Sequence, residues 1–222
     1  MSAVLGYHLA LLLRSQRWVP PLILYAGFSA VGVRPGQPIL DSLGFTAAAT
    51  LPMAGWLVRI CATNEPAAAR GCVAAGAGAV RAHLGCLLAA LLAAVALGAV
   101  ATLFVVLISD PANNDGTAPV PRRPAAGAGL LAMLVCALLG AAAGALTSRP
   151  LLHRTGRAVP ALLLALVVVL ITTGSPVRTA LSDLVTGSQD GTVRTPALPL
   201  LLGAVIAAAA GAVACALAPR RD

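Results

Sequence analysis

The sequence predicts an all-α integral membrane protein: six transmembrane helices, an N-terminal interfacial helix, a short cytoplasmic helix after the second span and a short outer helix before the sixth. Three observations carry that prediction. The 222 residues are 59% hydrophobic and 10% charged, with a mean hydropathy of +0.92, which leaves too few polar groups to coat a water-soluble globule. Apolar runs near the ~20 residues needed to cross about 30 Å of hydrocarbon recur along the chain. Between them lie short stretches rich in Gly, Pro, Asp and Arg, the residues that punctuate helices.

Residues 3–13 (AVLGYHLALLL) are apolar but too short to cross, and Arg14 and Arg17 interrupt them before Trp18. The stretch 3–17 therefore reads as an interfacial helix, with Trp18 at headgroup depth. A cleaved signal peptide is disfavoured, because no charge precedes the run and no cleavage-site pattern follows it. The first span is placed at about 18–34, opening on Pro20-Pro21, where a helix has free amide donors anyway, and closing at Arg34-Pro35-Gly36-Gln37-Pro38. The second span covers about 39–60 and the third about 84–108. SDPANNDGTAPVPRRP (109–124) has no periodicity and reads as a solvated loop. The fourth span is about 125–147, the fifth about 158–173 after the basic loop LLHRTGR, and the sixth about 197–217, so that residues 1–222 make one transmembrane domain.

The stretch 59–83 is the most substantial polar connection on its side. Thr63 or Asn64 can cap a helix there, with Glu65 and Pro66 in the first turn, where a carboxylate meets the positive end of the helix dipole. PAAARGCVAA continues that helix and Gly76-Ala77-Gly78 breaks it before the third span. A short helix on a glycine hinge suits docking into a groove on a soluble partner; the plainer alternative is a connector packed on headgroups. On the opposite side, SPVRTALSDLVTG offers Ser175 as a cap, Pro176 at the first helical position and Gly187 as a stop. Val177, Ala180, Leu181, Leu184 and Val185 fall on one face, which predicts a helix over 176–186 that either lies on the outer leaflet or re-enters the membrane.

All fifteen basic residues are arginine, and in a chain so rich in alanine this matches the codon usage of a GC-rich bacterium. With six spans, ten arginines (Arg14, Arg17, Arg59, Arg70, Arg81, Arg149, Arg154, Arg157, Arg220, Arg221) share a side with both termini, against five (Arg34, Arg122, Arg123, Arg178, Arg194) on the other. The positive-inside rule then places both termini in the cytoplasm of a bacterial plasma membrane. A net charge of +8 spread singly between apolar runs marks orientation in lipid and not nucleic-acid binding.

No charge sits deep in any span, which argues against an ion-coupled transporter or a membrane-embedded enzyme. His8, His83 and His153 fall near the cytoplasmic surface without metal-ligand spacing and are expected to be solvated or interfacial. A chain without lysine cannot form the GxxxxGK[ST] phosphate loop, so any nucleotide site belongs to another chain. No enzymatic activity, metal or resident cofactor is expected. The five cysteines form no close pair in sequence and read as small packing residues, while Gly140 and Gly144 make a small-xxx-small face where a second helix could approach.

The N-terminal stretch LRSQRWVPPLILYAGF and the loop TNEPAAARGCVAAGAGAVRAHLG, set in this order of helices, resemble permease subunits of type-2 ABC transporters, in particular the small, alanine-rich permeases of actinobacterial systems. The resemblance implies an ATP-driven exporter in which two permease protomers, identical or sister subunits, sit on two ATPase subunits that bind the ATP. It implies that the helix after the second span, about Pro66 to Ala75, is the coupling helix, so that Glu65, Pro66, Ala68, Arg70 and Val73 would contact the ATPase. In the commoner family pattern the acid is followed by basic and Gly-Thr residues, whereas here Pro66 and alanines follow. The path it implies would be apolar, with hydroxyls such as Thr46, Thr50 and Thr172 as the few polar groups available, which favours an apolar or amphipathic substrate. From another class, a non-transporting assembly or sensor subunit would recruit a cytoplasmic partner through the same loop.

Overall fold

The computed structural model describes residues 1–148 and 155–221, without the side chains of residues 67, 155, 156 and 219–221; the expected basic loop around Arg149, His153 and Arg154 lies outside the described residues. Among the described residues the chain forms nine α-helices and no strand. They are α1 (Ser2–Arg14), α2 (Val19–Gly32), α3 (Ile39–Asn64), α4 (Ala67–Ala77), α5 (Ala79–Ile108), α6 (Arg122–Thr147), α7 (Thr155–Ile171), α8 (Pro176–Asp190) and α9 (Ala197–Arg221). Of these, α3, α5, α6 and α9 are each long and apolar enough to cross a membrane, and α7 with α8, bent by 51° at residues 172–175, makes a fifth when counted as one broken crossing. The expected first span is realised as a helix of 14 residues. At 1.5 Å per residue that is about 21 Å, shorter than the ~30 Å hydrocarbon layer.

Helices α3 and α6 form the centre. Two-thirds (67%) of the apolar window of each is buried, against 22% for α5 and α9, and α3 has the lowest mean hydropathy of the four, 1.3 against 2.8 for α5. Helix α3 packs against α1, α2, α5, α6, α7 and α8, so its faces are read by protein and those of α5 largely by lipid. The α3–α6 contact is made through glycines. A Cβ on Gly144 would lie 2.7 Å from the Gly55 carbonyl oxygen and 2.9 Å from Val58 Cβ, and one on Gly140 would run into the Leu51 carbonyl. The small-xxx-small face expected to meet a second helix is therefore already filled by α3 of the same chain. Pro52 lies beside this contact and removes one donor from the helix ladder where the two backbones are closest.

The outer end is more ordered than its sequence suggests. Asn113 Oδ1 accepts from the amides of Thr117 (2.9 Å) and Ala118 (3.0 Å), and Val120 is buried. Ser188 Oγ at the end of α8 donates to Asn114 Oδ1 at 2.9 Å, while the Asn114 amide donates to the Ser188 carbonyl at 3.0 Å. The expected solvated loop is thus pinned to α8. Helix α8 has the expected apolar face, and that face is packed into the bundle: Val177, Ala180 and Leu184 are fully buried, and the helix packs on α3, α6 and α9. It also passes Gly187, the expected stop, and closes at Gly191 in the left-handed region with φ +67°. Gly187 remains in the helix because it is packed against Leu40 and the Thr192 carbonyl, where a side chain would not fit.

The glycine contact makes a test. Gly144→Leu should destabilise the fold by about 1–3 kcal/mol through overpacking, whereas Gly211→Ala, with nothing within 4 Å of the new Cβ, should stay within about 0.5 kcal/mol; unfolding of the purified chain in mixed detergent reads both.

Candidate functional site

The segment after α3 builds a polar junction in an otherwise apolar molecule. Helix α3 runs through Thr63 and Asn64, which for that reason do not cap α4: Thr63 Oγ1 donates to the Arg59 carbonyl at 2.9 Å, and Asn64 Nδ2 donates to the Leu11 carbonyl of α1 at 3.2 Å. Pro66 is the N-cap residue of α4 and supplies no side-chain bond. Glu65, expected in the first turn of α4, is instead the extended C-cap of α3 (φ −83°, ψ 126°), and that geometry turns its side chain back into the bundle, where it is 8% exposed.

There Glu65 meets groups that the sequence scatters over eighty residues. It lines a cavity of about 40 Å³ with His8 of α1, Cys61 of α3, Arg70 of α4, and His83 and Cys86 of α5. Arg70 Nη2 donates to the Glu65 carbonyl at 3.1 Å, which fixes the first turn of α4 against the end of α3. The Tyr7 phenol is pushed above its ordinary pKa, by desolvation first and then by the neighbouring Glu65 carboxylate. His8 is 3% exposed and its Nε2 has no hydrogen-bond partner, as is also true of Glu65 Oε1. Burial pulls the imidazole below its ordinary pKa, while the Glu65 charge and a bond to the Ala82 backbone act the other way. Cys61 and Cys86 line the same cavity, so a pair unconnected in sequence is close in space.

His8, expected to be solvated or interfacial, is instead buried between α1 and α5. His8 shares the inward face of α1 with Val4 and Leu12, and Val4 and His8 both pack on Gly85. That i, i+4, i+8 spacing was available in the sequence; what hid it was treating α1 as a helix on lipid alone. Among the described residues no three His, Cys, Asp or Glu side chains are placed to hold a metal ion.

The other expected site residues divide cleanly. Ala68 faces outward, in line with exposed Gly71, Cys72, Ala75 and Gly76, whereas Arg70 and Val73 are half-buried on the inner side. The hinge is Gly78, at φ +87°, a conformation that favours glycine. Thr46 and Thr50 come together on the buried face of α3, donating to the Ser42 and Thr46 carbonyls at 2.9 and 3.1 Å, with the Tyr25 hydroxyl 3.5 Å from Thr50 Oγ1. Thr46 also borders an apolar groove of about 320 Å³ between α2 and α5, which contains Tyr25 and Ser29. Thr172 is apart from them, exposed after α7 and bonded to the Val168 carbonyl.

Compared with known proteins, the chain matches no family model, no curated protein and no solved structure. The functional reading therefore rests on the junction and on α4.

The imidazole supplies a pH test. The docked His8 binds a proton less readily than a free histidine, so an undocked α1 takes up the proton first and acid favours undocking. Protection of the α1 amides, measured by hydrogen exchange relative to intrinsic rates, should be full above the ordinary imidazole value of 6.5 and decline as the pH falls below it, and His8→Leu should flatten that profile.

Proposed function

We propose that this chain is a permease subunit of an ATP-driven exporter, with six spans, both termini in the cytoplasm of a bacterial plasma membrane, and the nucleotide bound by separate ATPase subunits. In this reading α2 is the first crossing, lengthened by the extended backbone at Val33, and α7 is the fifth, with α8 as the short helix at its outer end. Two protomers, identical or sister subunits, complete the transporter.

The observation that carries the proposal is α4. It is an eleven-residue helix set between two long apolar helices, held at one end by the Arg70–Glu65 bond and at the other by the Gly78 swivel. Its outward stripe of Ala68, Gly71, Cys72, Ala75 and Gly76 carries only small side chains, so a partner's groove can close on the helix backbone. Contact with the ATPase is assigned to that stripe and to exposed Pro66, while Glu65, Arg70 and Val73 transmit displacement of α4 to α1, α3 and α5. ATP binding and hydrolysis would bias α4 between two positions and so the bundle between two states. The groove bordered by Thr46, apolar apart from a few hydroxyls, supports an apolar or amphipathic substrate.

Two measurements test this reading. A cysteine at Ala68 should be shielded from an impermeant thiol reagent in intact cells and one at exposed Asp115 should react, in a background with Cys72 replaced; the opposite pattern would reverse the topology. Ala68→Glu should leave the bundle folded and lower recovery of a co-expressed ATPase about tenfold or more, the effect of charging the centre of a helix–groove contact. Undiminished recovery and coupling would remove α4 from this role. An ATPase that stays bound but whose turnover responds to no amphipathic compound would point to an assembly or sensor subunit.

A further inference from the structure

We infer that the outer bend between α7 and α8 is a binding site for an anionic phospholipid, centred on Arg178. The inference depends on the membrane location of this helix pair and not on coupling to an ATPase.

A cavity of about 270 Å³ opens there, lined by Leu170 of α7 and by Arg178, Leu181, Ser182, Val185 and Thr186 of α8. Arg178, Ser182 and Thr186 follow one another at four-residue steps and so form one polar stripe on α8. Arg178 Nη1 donates to the Ile171 carbonyl at 3.0 Å, closing the end of α7, and among the described residues the guanidinium has no other bond. Nor has it a counter-charge. The one ion pair among the described residues joins Arg194 and Asp190, and Asp183, five residues on from Arg178, points to a different side of the helix.

The hydroxyls tell the same story. Helix threonines in this chain donate to the carbonyl four residues back, as Thr46, Thr50, Thr63, Thr102, Thr147 and Thr179 all do. Thr186 makes no such bond, and Ser182 on the same stripe has no partner either. The stripe therefore offers two hydroxyls and a guanidinium with donors to spare, and a phosphodiester with its glycerol oxygens can engage all three together. The opposite wall explains why the anion is carried by a lipid. Leu170 and Val185 are 38% and 45% exposed, and Ile171 and Val168 continue the surface down α7 at 68% and 53%, a track for acyl chains below the headgroup. A cationic pocket between helices at the membrane surface is the arrangement that favours anionic headgroups over zwitterionic ones.

The test uses the purified full chain titrated with phosphatidylglycerol, phosphatidylcholine or inorganic phosphate, with bound lipid counted by native mass spectrometry and thermal unfolding followed in parallel. Phosphatidylglycerol should bind and raise the Tm, phosphatidylcholine should bind more weakly, and inorganic phosphate should do neither. Arg178→Gln should weaken phosphatidylglycerol binding about five- to tenfold. Because that change also loosens the end of α7, the double substitution Ser182→Ala with Thr186→Ala serves as the independent variant: it should lower lipid binding while leaving the lipid-free Tm unchanged. Wild-type binding in both variants would overturn the inference, as would equal binding of phosphatidylcholine. A shift produced by inorganic phosphate alone would show a free-anion site in place of a lipid site.

Discussion

The backbone contact between α3 and α6 at Gly55, Gly140 and Gly144 sets the geometry of everything around it. In lipid the hydrophobic effect gives little reason for two apolar helices to associate, so close packing must supply it, and glycine allows the closest approach. Once α3 and α6 are fixed, Gly129 receives Leu43 and Gly98 receives Met133, extending the same small-against-large packing toward the outer end and toward α5. Leu162 of α7 fits over Gly55 and Leu184 of α8 over Gly44, so both helices of the bent pair are also seated on α3. The apolar residues that remain exposed on α2, α5, α7 and α9 face outward from this centre.

The junction around Glu65 obeys a different constraint. A carboxylate removed from water needs partners, and the Tyr7 hydroxyl, the nearby guanidinium of Arg70 and the small polar cavity supply a partial set. Each partner belongs to a different element, which ties α1, the end of α3, α4 and the start of α5 into one unit. The bond from Asn64 to Leu11 reinforces it from the side. The result is that α4, though exposed along one stripe, is not an independent appendage.

Much of the fold is legible in the sequence because hydropathy and helix breakers act locally. The long apolar runs, the Pro176 start of α8, its buried face at Val177, Ala180 and Leu184, and the break at Gly78 all follow from periodicity and backbone preference. What was hidden depends on partners distant in the chain. The inward turn of Glu65 is set by the extended C-cap after α3, and nothing next to Glu65 distinguishes that from a place in the first turn of α4. Gly140 and Gly144 are recognisable as a close-approach surface, yet only the folded chain shows that α3 occupies it. Burial of His8 and the pinning of Asn113 and Asn114 to α8 likewise require the tertiary arrangement, and Gly187 failed as a stop because packing against Leu40 outweighed its local preference.

The threonines carry one more consequence. Thr46, Thr50, Thr102 and Thr147, all buried, each give their hydrogen to their own backbone. Hydroxyls committed in this way do not line up as a relay along which protons can hop, and the alanine, glycine and leucine around them hold no mobile charge. In electrical terms the centre of the bundle is an insulator.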